Sequence, residues 1–347
     1  MSFKLGSENM AQKVAFRLFR VDTFLGRGRK PIGADHSFGG AELIDFVEEV
    51  LVELQNQTMI GKPASLLHPK DFERRNPKGG DPYITVLRYR RRDRVIEAVV
   101  SSGHYGDRDY LVSSDGKSES IGDRATGNEF VVRLAFPEES STFYMVSQIR
   151  GRSEAGTRLL DNIAYAYHLK ISIVDGEGVI EKDAWYRFRS KPMIDAERFS
   201  AVTDETNVES LTLKSKGVAN GRRIGEDITV TARLSKKGLK DAAMKILRQW
   251  IDNFSHNHDM HNKDGGKAVA AIFPEGYIKD NGEWDDGQIT FSENNSSVTV
   301  SAETVGRLFT YTLPEGSSLQ DLWNEADHRL KILSQAERIN IPHVSLV

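Results

Sequence analysis

The stretch Tyr83-Ile-Thr-Val-Leu-Arg-Tyr-Arg-Arg-Arg-Asp-Arg-Val-Ile-Glu-Ala-Val-Val-Ser101 carries the reading of the fold. It predicts two strands in close succession, Tyr83–Arg90 and Val95–Ser101, rich in β-branched and aromatic residues. Further strand candidates follow at Tyr110–Ser113, Glu129–Phe136 and Thr142–Ile149. Clusters of Gly, Asp and Ser separate these short segments, the pattern of an antiparallel meander rather than of βαβ units.

Working outward from this meander, residues 12–22 alternate Val14, Phe16 and Leu18 with polar neighbours and predict another strand. Gly26 to Gly40 reads as a loop. Leu43, Phe46, Val47, Val50, Leu51 and Leu54 then recur at helical spacing, with Glu48, Glu49 and Glu53 on the opposite face. A helix over 154–168 and a strand over Lys170–Val174 are expected next. In the second half, strands near 185–189, 210–214 and 227–234 precede a helix from about Lys237 to Phe254. Strands are expected at Lys267–Phe273, Gln288–Ser292, Ser297–Ser301 and Thr304–Leu313. A last helix starts at a Ser318 cap, with Asp321 as a short-armed capping-box acid. The expected class is α+β: mostly antiparallel sheets with packed amphipathic helices, in two lobes divided as 1–178 and 179–347.

The 347 residues contain no cysteine, which excludes disulfides, thiolate metal sites and cysteine nucleophiles. The first residues, MSFKLGSENMAQK, lack the apolar core of a secretory signal, and the longest apolar run, Ala268–Phe273, is too short to span a bilayer. A cytoplasmic protein without membrane insertion is therefore expected. The net charge of −3 is unevenly spread. Residues 211–248 hold ten Lys/Arg against three Asp/Glu, while 271–347 hold five against twelve. Such asymmetry suggests an anionic partner for the basic part.

Three basic clusters stand out. Arg88, Arg90 and Arg92 fall on one side of a strand, a ladder with about 7 Å between rungs, close to the phosphate repeat of a nucleic acid. Arg222 and Arg223, with Lys214 and Lys216, surround the Gly217–Gly221 turn. Lys237 and Lys240 begin the polar face of the 237–254 helix. A competing chemistry lies in His256-Asn-His258-Asp-Met-His261, whose imidazoles would suit a metal-dependent hydrolase or nuclease. Imidazoles following a helix also suit its exposed carbonyls, so the metal reading ranks second. Gly26-Arg-Gly-Arg-Lys-Pro31 begins like a dinucleotide fingerprint, but Pro31 stands where the third Gly belongs. His104 and Asp107, in Ser102-Gly-His-Tyr-Gly-Asp107, read as a turn before they read as an acid–base pair.

Val99 to Asp107, Phe143 to Arg152, and the basic stretch from Ile228 to Leu247 resemble the RexA-like phage-exclusion proteins. The resemblance implies a dimeric DNA-binding sensor without catalysis, acting with a separate membrane effector. No cofactor is expected. The functional expectation is thus a non-catalytic protein that binds double-stranded DNA through Arg88, Arg90, Arg92, Arg222, Arg223, Lys237 and Lys240 in a phage-exclusion or antiviral setting. A scaffold docking partners through its acidic end is the other alternative.

Overall fold

The computed structural model describes residues 14–342, apart from 27, 34–35, 37, 39–40, 62–79, 107–109, 113–117, 121–124, 152, 175–184, 194, 196, 199, 201–207, 216–217, 220–221, 224–227, 256–260, 274–283 and 294–295. The chain is α+β with antiparallel sheets, and it separates into two compact units. Unit 1 comprises residues 1–193 and 311–347; unit 2 comprises 194–310. The division differs from the expected 1–178 and 179–347 because the last helix returns to the first unit. A linear reading of charge and turns has no access to such a return.

In chain order, unit 1 contains β1 (Ala15–Leu25), α1 (Leu43–Leu54), β2 (Thr58–Ile60), β3 (Pro82–Arg92), β4 (Val95–Tyr105), β5 (Tyr110–Val112), β6 (Ser118–Ser120), β7 (Ala125–Ala135), β8 (Thr142–Arg150), β9 (Ser153–Glu154), α2 (Gly156–Val174) and β10 (Tyr186–Pro192). The sheet order is β10-β1-β8-β7-β4-β3-β2, with antiparallel pairing along this path. The predicted meander is present as β3-β4-β7-β8, and β5 and β6 form a separate small hairpin.

Strand alternation sends side chains to two faces, and both are covered. On one face Phe19, Val21, Ile96, Ala98, Val132 and Met145 pack against α1 and α2. The helix α1 buries Leu43, Ile44, Phe46, Val47, Val50, Leu51 and Leu54, each worth roughly 1.5–3 kcal/mol when fully removed from water. On the other face Phe16, Leu18, Val95, Val99, Val131 and Tyr144 meet Leu322, Trp323, Ala326, Leu330 and Leu333 of the returning C-terminal helix. The strand expected at Lys170–Val174 is instead the last part of α2. Short β-branched segments do not distinguish strand from helix by period alone.

Unit 2 contains β11 (Val208–Ser215), β12 (Val218–Ala219), β13 (Arg222–Arg223), β14 (Ile228–Arg233), α3 (Lys237–Ser255), α4 (Asn262–Ala270), β15 (Asp286–Glu293) and β16 (Ser296–Ser301). A 3-10 turn at Val305–Phe309 leads into β17 (Thr310–Thr312), which pairs with β1 as the chain re-enters unit 1. The last helix is α5 (Leu319–Glu337), whose Ser318–Asp321 capping box forms as expected, each residue bonding the other's backbone N–H.

The sheet of unit 2 runs β14-β11-β15-β16, with β12 and β13 as a short hairpin in the β11–β14 connection. Its buried face sets Leu211, Leu213, Ile289, Phe291 and Val300 against Ala243, Leu247, Trp250 and Ile251 of α3 and Val269 of α4. The strand expected at Lys267–Phe273 is mostly helix, because Gly265, Gly266 and Val269 form the inward face of α4. That approach is close: a Cβ on Gly266 would stand 2.7 Å from the Trp284 carbonyl oxygen, and one on Gly287 of β15 would stand 2.5 Å from that of Gly265.

Candidate functional site

The arginine ladder on β3 is oriented by a bulge. Val86 pairs with Val100 but Arg88 pairs with Val99, so Leu87 is the extra residue. Beyond it Arg88, Arg90 and Arg92 stand opposite Val99, Glu97 and Val95, on one face as the alternation required. That face is the one α5 covers. The Arg90 guanidinium is ion-paired with Glu97. Glu97 is buried and also accepts two bonds from Arg133, at 3.0 Å from Nε and 2.7 Å from Nη2. Arg133 is fully buried, reaches Asp327 of α5 at 2.7 Å, and lies 4.1 Å above the Trp323 ring. Arg90 therefore belongs to a structural ion network, while Arg88 and Arg92 remain exposed at its margin. Arg91 points the other way, to Asp45 and Glu48 of α1, each at 2.7 Å.

The basic stretch of unit 2 is more coherent. Residues 211–248 fold into β11, the β12–β13 hairpin, β14 and the first half of α3, which are successive along the chain. Strand β14 is the outer edge of the sheet, and its Thr229, Thr231 and Arg233 are exposed. Arg222 and Arg223 occupy the hairpin at one end of this edge. At its other end Lys236, Lys237 and Lys240 open α3, with Lys236 and Lys237 exposed and Lys240 half-buried. The open sheet face presents hydroxyl pairs, Thr212–Thr231 at 3.0 Å and Thr290–Thr299 at 2.9 Å. These residues are directly opposite in register, so the face carries cross-strand hydroxyl pairs, with Arg233 on the same side of β14 as Thr231.

A cleft of about 780 Å³ opens where β11 and β15 meet the start of α4. Lys214, Lys263, His261, Asp285, Asp286 and Glu303 supply its charged lining. Glu303 is tied to Asn262 by the backbone N–H at 3.2 Å and by Nδ2 at 2.9 Å, so it closes the first turn of α4. Burial raises the Asp286 carboxyl; the hydrogen bond from Gln288 and the charge of Lys214 oppose that rise. Of the three histidines proposed as metal ligands, His261 is the residue preceding α4, whereas His256 and His258 lie outside the described residues. Among the described residues, no group of three or more His, Asp or Glu is placed to hold a metal.

His104, expected in a turn, lies instead near the end of β4, opposite Pro82 of β3 and Thr126 of β7, and this end of the strand has a structural partner. Arg158 of α2 donates from Nη1 to the Ser102 hydroxyl at 2.7 Å and to the Gly103 and Tyr83 carbonyls at 3.1 and 3.2 Å. Its Nη2 lies 3.5 Å from His104 Nε2. This side chain pins α2 to the sheet end, and Asp107 lies outside the described residues. A smaller cleft of about 240 Å³ lies between α2 and β10, lined by Asp161, Tyr165, His168, Trp185, Arg187 and Phe188 among others. Desolvation and the charge of Glu154 push Asp161 up to about 6, and burial lowers His168.

Residues that the sequence reading passed over lie beside this cleft. The strand β10 alternates aromatic or polar residues with cations as Tyr186-Arg187-Phe188-Arg189-Ser190-Lys191. The signal was present, but a stretch of three cations among two aromatics is weaker in sequence than the five arginines between Arg88 and Arg94. No family model matches the chain, and neither the curated proteins nor the solved structures contain a match. No helix among the described residues is long and apolar enough to cross a membrane.

Proposed function

We propose that the chain is a non-catalytic nucleic-acid-binding protein that holds the phosphate backbone of double-stranded DNA. The observation that carries this reading is the folding of the 211–248 stretch around one edge of unit 2. There Arg222, Arg223, Arg233, Lys236, Lys237 and Lys240 belong to the edge strand β14, the hairpin before it and the helix start after it. Cations near exposed hydroxyls, with Arg233 on the same side of β14 as Thr229 and Thr231, favour contacts to phosphate and sugar, which hold a duplex without reading its sequence. Arg88 and Arg92 extend the reading to unit 1, and Arg90 is removed from it by its pairing with Glu97. The likeness of residues 99–107, 143–152 and 228–247 to the RexA-like proteins supports a phage-exclusion or antiviral setting, with a homodimer and a separate effector as the corresponding assembly.

The test is binding of the full chain to labelled duplex DNA and RNA of unrelated sequence across a salt series. The expected result is similar affinity for all sequences, falling steeply as salt rises. Reversing Lys237 and Lys240 together to Glu is expected to weaken all sequences alike and to flatten the salt dependence, by about one slope unit per lost phosphate contact. Absence of binding at low salt overturns the reading.

A further inference from the structure

The outer edge of unit 1 presents a second cationic surface with an uncommon geometry. Strand β10 is the end strand of its sheet, and Arg187, Arg189 and Lys191 share one of its faces. In register on β1 they stand opposite Phe24, Asp22 and Arg20. The guanidiniums of Arg187 and Arg189 both lie over the Phe24 ring, at 5.6 and 5.7 Å from its centroid. Arg187 also lies 5.3 Å from the Trp185 centroid and donates from Nη2 to the Gly28 carbonyl at 2.9 Å. Two like charges are thus gathered at one aromatic ring.

The local acid does not neutralise them. Asp22 is buried and accepts from Arg20 at 3.1 Å, lies 3.3 Å from Lys191 Nζ, and takes the Thr142 hydroxyl at 3.1 Å. Among the described residues, neither Arg187 nor Arg189 makes an ion pair with a carboxylate. The loop after β1 adds to the same end of the strand. Its Gly26 N–H bonds the Trp185 carbonyl at 2.7 Å, and Arg29 and Lys30 on the loop are exposed. Arg29 and Lys30 thus belong to a loop that Gly26 and Gly28 tie to Trp185 and Arg187 at the start of β10. Guanidiniums held on aromatic rings lose little further freedom when an anion arrives, and each retains N–H donors in a planar fork. Alternate residues of a strand are spaced about 7 Å apart, which matches successive phosphates along a backbone.

We infer that the β10 edge, through Arg187 and Arg189 with Arg29 and Lys30, is a phosphate-binding rail for a nucleic-acid backbone, separate from the basic edge of unit 2. The inference rests on the proposed nucleic-acid reading and assigns it a second contact surface.

The experiment compares the full-length protein with R187Q/R189Q, R189Q alone and K237E/K240E by fluorescence anisotropy on one labelled duplex across a salt series. Circular dichroism melts are run on each variant. R187Q/R189Q is expected to bind roughly tenfold more weakly at low salt, with a log–log salt slope shallower by about 1.8. R189Q alone, at an exposed side chain, is expected to lose about half of that slope change. Arg189→Lys is expected to restore most of it, because a cation at that position remains. Wild-type slope and affinity in R187Q/R189Q, alongside weakening in K237E/K240E, overturn the rail and leave the unit 2 reading standing. No binding by the unmodified protein overturns both. Should R187Q/R189Q unfold, R189Q and Arg189→Lys decide the question, since an unchanged slope in R189Q overturns the rail.

Discussion

Arg133 Nη1 and Asp327 Oδ1 meet at 2.7 Å across 194 positions of sequence, joining the middle of the unit 1 sheet to the C-terminal helix. The guanidinium is fully buried, so its charge must be balanced inside the protein. Glu97 supplies the second half of that balance and serves Arg90 as well. Glu97→Gln leaves two arginines sharing less negative charge in a poorly solvated place. A loss of about 3–5 kcal/mol is expected from breaking such a buried network. Urea denaturation of the variant against the unmodified chain measures it; a change near zero means the network is not coupled to folding.

The same pairing separates Arg90 from its neighbours on β3. Arg90→Gln is expected to lower the urea midpoint while leaving the salt slope of duplex binding unchanged. Replacing Arg88 and Arg92, which are exposed, is expected to leave stability within about 0.5 kcal/mol, as for ordinary surface positions. A salt slope that shifts only in the Arg90 variant contradicts this division of roles.

Asp161 gives a pH signature. Its carboxyl is raised to about 6 by desolvation and by Glu154, with Arg158 acting in the opposite direction. The folded state therefore holds a proton that the unfolded chain releases at lower pH. The associated stability is present below the ordinary carboxyl range and is lost as pH rises through about 6. Asp161→Asn is expected to melt higher than the unmodified protein at pH 7 and to match it near pH 4. The residue retains solvent contact, which keeps the difference small. A melting difference independent of pH assigns the effect to packing instead.

The contact between α4 and β15 predicts a steric penalty. Gly287→Ala sets a methyl group against the Gly265 carbonyl, with the Val269 side chain 2.9 Å away. A loss of about 1–3 kcal/mol is expected from such overpacking, detectable as an earlier transition of unit 2 in denaturant. Gly316→Ala tests the opposite case. No atom lies near its would-be Cβ, so any cost there comes from its positive φ of 83° and not from a clash.

Local patterns in the sequence account for much of the fold. Strand alternation and turn residues identify the β3-β4-β7-β8 meander, and helical spacing identifies α1, α3 and α5, including the Ser318 cap. These patterns are legible because period and capping depend on neighbours a few residues apart. The helical end of α2 and the helix α4 do not follow from the sequence, because short apolar segments have no decisive period. The arginines of β3 were visible as a one-sided ladder from sequence alone. Their inequality was not, because Arg90 is neutralised by Glu97, which Arg133 and Asp327 in turn hold from distant elements. The gathering of Arg187 and Arg189 on Phe24 likewise required the β1–β10 register, which joins residues more than 160 positions apart. Sequence by itself determined the β3-β4-β7-β8 meander, the helices α1, α3 and α5 and the basic clusters, since those depend on local chemistry. Tertiary structure decided which cations are bound up in internal ion pairs, as Arg90 and Arg133 are, since burial and ion pairing are set by residues far away in the chain.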